Sequence, residues 1–392
     1  MKKVLILGGG FAGLRACKLL AKSKADLDIT LVNKNAYHYD STGLYKVASG
    51  DEAPERLMFR ITDMISPKVH FIEDDVVKVN GKDNTVSTKK NGDLSYDYLF
   101  NALGFEPETF GTPGADEFGL QISDIDNSAA DYQKIQTTLD EYDEFKDPKL
   151  LNIVVVGGGF TGIELLGDLV HMVPKWAKKY GFKKEDFKIT CIAPGFLPMF
   201  NKKLGDYAQH FLEKKGVKFV MGDTVSKITA DGAYYGKDDK FIPSHLVFWT
   251  AGVKGSDVIP ASQYPDEHRN RVAVNTDMSL NDFPNQYLIG DVSAVKDDKT
   301  GRMFPTTGQI SIYEADVAVN DFLNKLNGKS AVKFDYKSMG TVCSLGPYSG
   351  IAEIYMFGMT FKLKGCIVPI FKNMIFKKNG LELGNIRTML ES

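Results

Sequence analysis

The sequence predicts an α/β fold: two Rossmann-like dinucleotide-binding domains followed by an amphipathic C-terminal tail. Three observations predict it. The phrase VLILGGGFAGL at residues 4–14 returns almost unchanged as IVVVGGGFTGIE at 153–164. Each copy sets an apolar run, a G-x-G-x-x-G turn and a helix-compatible stretch in that order, the context in which this motif has meaning. Each copy is also followed by a matched apolar segment with a small-residue turn, YLFNALG at 98–104 and LVFWTAG at 246–252.

In chain order, Val4 to Leu7 read as a strand buried on both faces. Gly8, Gly10 and Gly13 follow, then a helix carrying Leu14, Ala16, Cys17, Leu19 and Leu20. In such a turn the first glycine permits the bend and the second admits a pyrophosphate. The third lets helix and strand pack closely. The helix N-terminus then offers N–H groups and a positive dipole end to the phosphates. Strands near Ile29–Val32 and Val69–Ile72 continue the alternation. Residues 109–150 are polar and acidic, with Asp124, Asp126, Asp140, Glu141, Asp143 and Glu144, and lead into the second unit. There Ile153–Val156 form the strand and Gly157, Gly159 and Gly162 the turn. Residues 287–292, YLIGDV, read as an apolar strand ending in Gly290-Asp291, and a helix is expected over about 309–326.

The tail closes the chain. CIVPIFKNMIF at 366–376 puts Ile367, Ile370, Phe371, Met374 and Ile375 on one helical face, with Pro369 tolerated in the first turn. Leu383, Ile386 and Leu390 continue the stripe. Lys362, Lys364, Lys372, Lys377, Lys378 and Arg387 outnumber Glu382 and Glu391. Apolar and basic character on one short helix is what an interfacial membrane anchor needs. The alternatives are packing on the protein's own core or against a second copy, as a homodimer.

Composition narrows the field. A chain of 392 residues has room for two or three domains, and its hydrophobic and charged fractions are those of a folded protein. A net charge of −2 gives no reason to expect a nucleic-acid partner. Cys17, Cys191, Cys343 and Cys366 form no C-x-x-C, which argues against a disulfide framework, a zinc ribbon or a thioredoxin-like pair. The six histidines show no ligand spacing, so no metal is expected. Gly8–Gly10 and Arg15 break the N-terminal apolar run, so it reads as strand, turn and helix rather than a signal peptide. The expected location is cytoplasmic. No stretch approaches the roughly 20 apolar residues of a spanning helix.

The sequence resembles the type II NADH:quinone oxidoreductases over nearly its whole length. The resemblance rests on GGGFAG, LVNKNAYHYDSTGLYKVASG (31–50), ALGFEPETFG (102–111), GGGFTGIELLGDL (157–169), LPMF (197–200), WTAGVKGS (249–256), IGDVSA (289–294), PTTGQI (305–310) and GTVCSLG (340–346). It implies a single-chain flavoprotein on the cytoplasmic face of the cell membrane. NADH would pass hydride to FAD, and two electrons would then go to a membrane quinone of the menaquinone or ubiquinone type, with no proton pumping. It implies an FAD domain of residues 1–109 and 266–330, an NADH domain of 110–265, and a membrane-association region of 331–392. FAD would be held by Gly8, Gly10, Phe11, Ala12, Gly13, Asn33, Lys34, Thr42, Ala102, Gly104, Gly290, Asp291 and Thr307, with Asp291 on the ribityl chain. NADH would be held by Gly157, Gly159, Phe160, Thr161, Gly162, Ala251 and Gly252. Glu164 would face the nicotinamide and the reactive edge of the flavin. Thr306, Gln309, Tyr313 and Lys372 would lie on the quinone side.

Three departures from the family pattern matter. Tyr313 stands where a second Gln is usual, which alters the quinone side. Asn33 stands where a carboxylate normally meets the FAD ribose; an amide can still bond a hydroxyl. After the strand Ile189–Ile192, Ala193 and Pro194 replace the usual Glu, which weakens discrimination against NADPH. Related chemistries lack their residues. Sulfide:quinone reductases need a cysteine pair, and Cys343 has no evident partner. Disulfide reductases need a C-x-x-x-x-C or C-x-x-C. NADH peroxidases need a Cys where this chain has Ser41. A soluble NAD(P)H oxidase or reductase remains the enzymatic alternative, and a flavin- and NADH-binding interaction protein the non-enzymatic one.

Overall fold

Short runs of Val, Ile and Leu without polar alternation favour central strands of parallel sheets, covered on both faces. The computed structural model describes residues 1–265, 267–297 and 301–391, and the two runs that precede the glycine turns are such strands. In chain order the elements that build the site are β1 (Lys2–Leu7), α1 (Phe11–Lys22), β2 (Leu27–Asn33), α2 (Leu44–Ser49), β3 (Val69–Glu73), β4 (Tyr98–Asn101), β5 (Leu120–Gln121) and α3 (Ile125–Phe145). Then come β6 (Asn152–Val156), α4 (Phe160–Tyr180), β7 (Lys188–Ala193), β8 (Val217–Met221), β9 (Leu246–Trp249), β10 (Gln286–Leu288) and α5 (Gly308–Leu326). The C-terminal part has β11 (Gly340–Ser344), β12 (Gly350–Met356), β13 (Met359–Lys364), α6 (Val368–Leu383) and α7 (Ile386–Glu391).

Two five-stranded parallel sheets have the same construction. One runs β10-β4-β1-β2-β3, the other β5-β9-β6-β7-β8. Val4 pairs with Ile29 and Tyr98, and Ile153 pairs with Ile189 and Leu246. Each glycine turn leaves its sheet through one bond: Gly8 N donates to Val32 O at 2.8 Å, and Gly157 N to Ile192 O at 3.0 Å. Each half also carries a three-stranded antiparallel meander ahead of its return strand. One is Val76–Asn80, Thr85–Thr88 and Gly92–Ser95; the other is Val225–Thr229, Gly232–Tyr235 and Lys240–Pro243. The duplication seen in the glycine phrases therefore extends to whole units. Asp266, where the chain was expected to return to its first unit, lies outside the described residues.

Two expectations, on the 287–292 strand and on the tail, need correction, and the acidic stretch gains a structure. The 287–292 strand stops at Leu288, because Gly290 (φ 75°) turns the chain into a short 3₁₀ segment. The acidic 109–150 stretch is largely helical: α3 is capped by the Asp124 side chain and buries Ile125, Ile135 and Leu139. The tail is more than one amphipathic helix. Its first part is an antiparallel meander whose Cys343, Leu345 and Ile351 join the core beneath α4. Lys362 and Lys364 lie on β13, and Lys372 turns inward to a buried ion pair, so these three are not cations of an anchor helix. Leu383 is 2 % exposed in the core around α1, and Gly384 ends α6 there, so Ile386 and Leu390 do not extend its stripe. Lys18 of α1 completes that end, its ammonium donating to Gly384 O at 2.7 Å and to Leu381 O.

Candidate active site

The first glycine turn is closed on its protein side and open on the other. Gly8 holds φ 94°, and a Cβ on it would lie 2.2 Å from Ala102 O. A Cβ on Gly13 would lie 1.9 Å from Gly8 O, which is why helix and strand can touch only through glycine here. Gly10 has nothing within 4 Å of its would-be Cβ and caps α1 without a side-chain bond. An open backbone cradle at an uncapped helix start is what a pyrophosphate fits. The cleft in front is lined by Gly8, Gly10, Phe11, Ala12, Asn33, Lys34, Ala102, Gly104, Gly290 and Asp291. Three expected contacts lie off it: Gly13 packs against Gly8 O, Thr42 bonds Asp40, and Thr307 caps α5 by accepting from Ile310 N.

Asn33 shows how this chain works without a carboxylate. Its Oδ1 accepts from Gly9 N at 2.7 Å and its Nδ2 donates to Asn35 O at 2.8 Å, so the amide ties the turn together. The sequence reading missed His38. It is buried, its Nδ1 lies 2.9 Å from Gly9 O, and its ring meets Phe11 edge-on. Burial holds its pKa below the ordinary histidine range. It also missed Glu314, which accepts from Gly290 N at 2.6 Å and Ser293 Oγ at 2.8 Å and so fixes the Gly290-Asp291 turn. Burial pushes Glu314 up to about 8 and Asp291 to about 6, with the Arg271 guanidinium pulling both back. Residues with no motif spacing leave no local sequence signal for such a role.

The second turn repeats the first. Gly157 holds φ 121°, a Cβ on Gly162 would lie 2.3 Å from Gly157 O, and Gly159 faces open space. The would-be Cβ of Gly9 lies 3.1 Å from Asn33 Cγ, and that of Gly158 lies 3.1 Å from Ala193 Cβ. Ala193 thus occupies the place that Asn33 holds in the first unit. Phe160 and Thr161 open α4; Ala251 and Gly252 follow β9, with Gly252 against the Phe110 ring.

Glu164 lies in the next turn of α4. It is 6 % exposed, accepts from Ser344 N at 2.8 Å, and is ion-paired with Lys372 of α6. Lys372 also donates to Tyr45 Oη at 2.7 Å. Four segments distant in sequence, α2, α4, β11 and α6, therefore meet at one buried charge pair. The residues expected on the quinone side do not form one group. Gln309 and Tyr313 line a cleft of about 440 Å³ with Ile312, Tyr336, Met339 and Lys378, a size suited to a small-molecule head group. Tyr336 donates to Gln309 Oε1 at 3.0 Å. Thr306 precedes this cleft in the chain without lining it, and Lys372 belongs to the Glu164 pair. Cys343 is buried beside that pair as a free thiol.

A curated type II NADH:quinone oxidoreductase from Staphylococcus haemolyticus is 36 % identical over 97 % of both chains. The chain belongs to the type II NADH:quinone oxidoreductase family. Residues 2–320 match the broader pyridine nucleotide-disulphide oxidoreductase family. Among solved structures, NDH2 from Plasmodium falciparum, in complex with NADH, superimposes with a TM-score of 0.88 at 19 % identity, covering 100 % of this chain and 96 % of that one. The sulfide:quinone oxidoreductase of Aquifex aeolicus follows the same fold, with a TM-score of 0.77 at 20 % identity over 98 % and 92 % of the two chains. The family's two cofactors, FAD and NADH, fit a chain with two open glycine cradles of the same backbone shape.

Proposed function

We propose that the chain oxidises NADH and reduces a membrane quinone through one FAD, without pumping protons. The observation that carries this reading is Glu164, buried and paired with Lys372 in the helix that opens on the second glycine turn. FAD, when bound, supplies the two-electron chemistry between a hydride donor and a quinone. The protein's own residues bind, orient and hold protons. Residues 1–109 and 266–330 hold FAD, with Asp291 for the ribityl chain, and 110–265 hold NADH. Glu164 sets charge beside the nicotinamide; its partner Lys372 presents a proton on the quinone side. Gln309 and Tyr313 shape the quinone cleft, with Tyr313 presenting a phenol where a second glutamine would present an amide. Residues 331–392 meet the cytoplasmic face of a membrane.

Stopped-flow spectroscopy at the flavin band tests the roles. Glu164→Gln is expected to slow reduction by NADH, and Gln309→Ala to slow reoxidation by a quinone. If both variants slow reduction alone, the assignment is wrong.

A further inference from the structure

Quinol formation from NADH needs one proton more than the hydride supplies: NADH, quinone and H⁺ give NAD⁺ and quinol. That proton has to come from solvent to a buried charge pair. One face of α4 offers a route. Glu164, Asp168, His171 and Lys175 stand at spacings of four, three and four residues, which places them in one stripe along the helix. Exposure rises from Asp168 outward. Asp168 is 1 % exposed, whereas the His171 and Lys175 side chains are 25 % and 55 % exposed. Asp51, just after α2, lies 3.7 Å from both His171 Nε2 and Lys175 Nζ at the outer end.

Asp168 is the unexplained member. It is a carboxyl in a core of Leu165, Leu166, Leu169 and Ile163, and its Oδ2 has no hydrogen-bond partner. Ionising a buried carboxyl with one oxygen unpartnered would be costly, so the group avoids charge by keeping its proton. Burial, reinforced by the Asp51 carboxylate, pushes it up to about 8; Lys46 and Lys372 oppose this and Glu164 adds to it. The charged or titratable groups around it are Glu164 and His171 on α4, Tyr45 and Lys46 on α2, Asp51 beyond it, and Lys372 on α6.

We propose that Asp168 is the proton-loading residue of this enzyme, passing a solvent proton from the Asp51–His171 mouth to the Glu164–Lys372 pair. In the step, Lys372 Nζ, which does not line the Gln309–Tyr313 cleft, releases a proton that reaches the quinone oxygen through water. Lys372 recovers one through Glu164 from the Asp168 carboxyl, and Asp168 is reloaded from solvent past His171 and Asp51. No electrons move in the relay. Asp168 is a positioning and relay residue, since it touches neither substrate. The inference rests on the Glu164–Lys372 reading above.

The experiment uses the holoenzyme. Infrared difference spectra, wild type against Asp168→Asn, read the protonated carboxyl directly as pH is raised. The expected result is a carboxylic-acid band that titrates near pH 8, is absent in Asp168→Asn, and moves to lower pH in Asp51→Asn, which removes a like charge. In stopped flow, Asp168→Asn should leave reduction by NADH unchanged and slow reoxidation by quinone roughly ten- to a hundredfold. No such band, unaltered reoxidation, or equal slowing of both half-reactions overturns the proposal. Should Asp168→Asn not accumulate folded, Asp51→Asn carries the test: an unmoved carboxyl midpoint with an unmoved reoxidation pH profile overturns it. Because the relay runs through Glu164, Glu164→Gln should slow reoxidation as well as reduction; if it changes neither half-reaction, the underlying reading of Glu164 fails, whereas the Asp168 band still reports on Asp168 alone.

Discussion

Gly10 and Gly13 are three residues apart and do opposite things, which makes them separable. A methyl group at Gly13 meets Gly8 O, and Gly13→Ala should lower stability by about 1–3 kcal/mol, seen as a lower Tm. Gly10→Ala meets only open space. It should unfold at the wild-type temperature when flavin-free yet fail to take up FAD on reconstitution; full uptake would show that no phosphate approaches there. Ala193 is the second case. It stands opposite Gly158 as Asn33 stands opposite Gly9, and carries no carboxylate there. Ala193→Glu should raise the NADH/NADPH ratio of kcat/KM by about tenfold, through repulsion of a 2′-phosphate. An unchanged ratio would place the ribose elsewhere. These positions were legible in the sequence because a glycine turn dictates backbone geometry locally. His38 and Glu314 were not, because each acts on a turn from a distant part of the sequence.

α6 was legible as a helix, and Pro369 does sit in its first turn, but its placement was not legible. Its apolar spacing says only that one face is apolar; whether a lysine between those residues faces water or a carboxylate is decided by α4. Lys372 pins α6 to Glu164, and Val368 and Leu383 bury its two ends. Lys372→Met should therefore cost about 3 kcal/mol, because it leaves Glu164 buried without a cation. The double variant Glu164→Gln with Lys372→Met should recover most of that loss, since no charge is then stranded. Urea unfolding of the four proteins measures the coupling, and additive losses would show that the pair does not join the elements. The same packing means that a chain ending near Gly358 would expose core, so truncation is a poor probe of this segment.

At the scale of the whole molecule, the repeated phrases made both halves readable, since each phrase brings its own sheet order. The C-terminal meander was not readable, because its core partners lie on α4. Buried carboxyls give the molecule a pH signature. Asp131, Asp168 and Glu314 are raised by burial to about 7, 8 and 8. Each keeps in the folded state a proton that the unfolded chain releases near its ordinary value, so the stability they contribute is present at low pH and is lost as pH rises through 7 to 8. Tm should fall from about pH 5 to pH 8, and Glu314→Gln should flatten that slope; a flat wild-type profile would contradict it. The C-terminal surface supplies the last expectation. Ile367 at the start of α6 and Ile370 and Met374 within it are exposed, as are Ile386 and Leu390 of α7. The β12–β13 hairpin adds Met356, Phe357 and Met359, with Phe357 87 % exposed. Phe357 and Gly358 both hold positive φ, 54° and 72°, as a two-residue hairpin turn requires. A bulky aromatic at such a position is strained, and Asn or Gly would form the turn more easily. The strain is accounted for if the ring itself enters a lipid interface. Among the described residues no helix is long and apolar enough to cross a membrane, so contact of this kind would be with one leaflet. Phe357→Asn should relieve the turn, leave Tm equal or higher, and still weaken flotation with anionic liposomes; Ile370→Ser with Met374→Ser should weaken it independently. Undiminished flotation in both would leave a second copy of the chain as the partner for these side chains, and sedimentation would then show a dimer that the same substitutions dissociate.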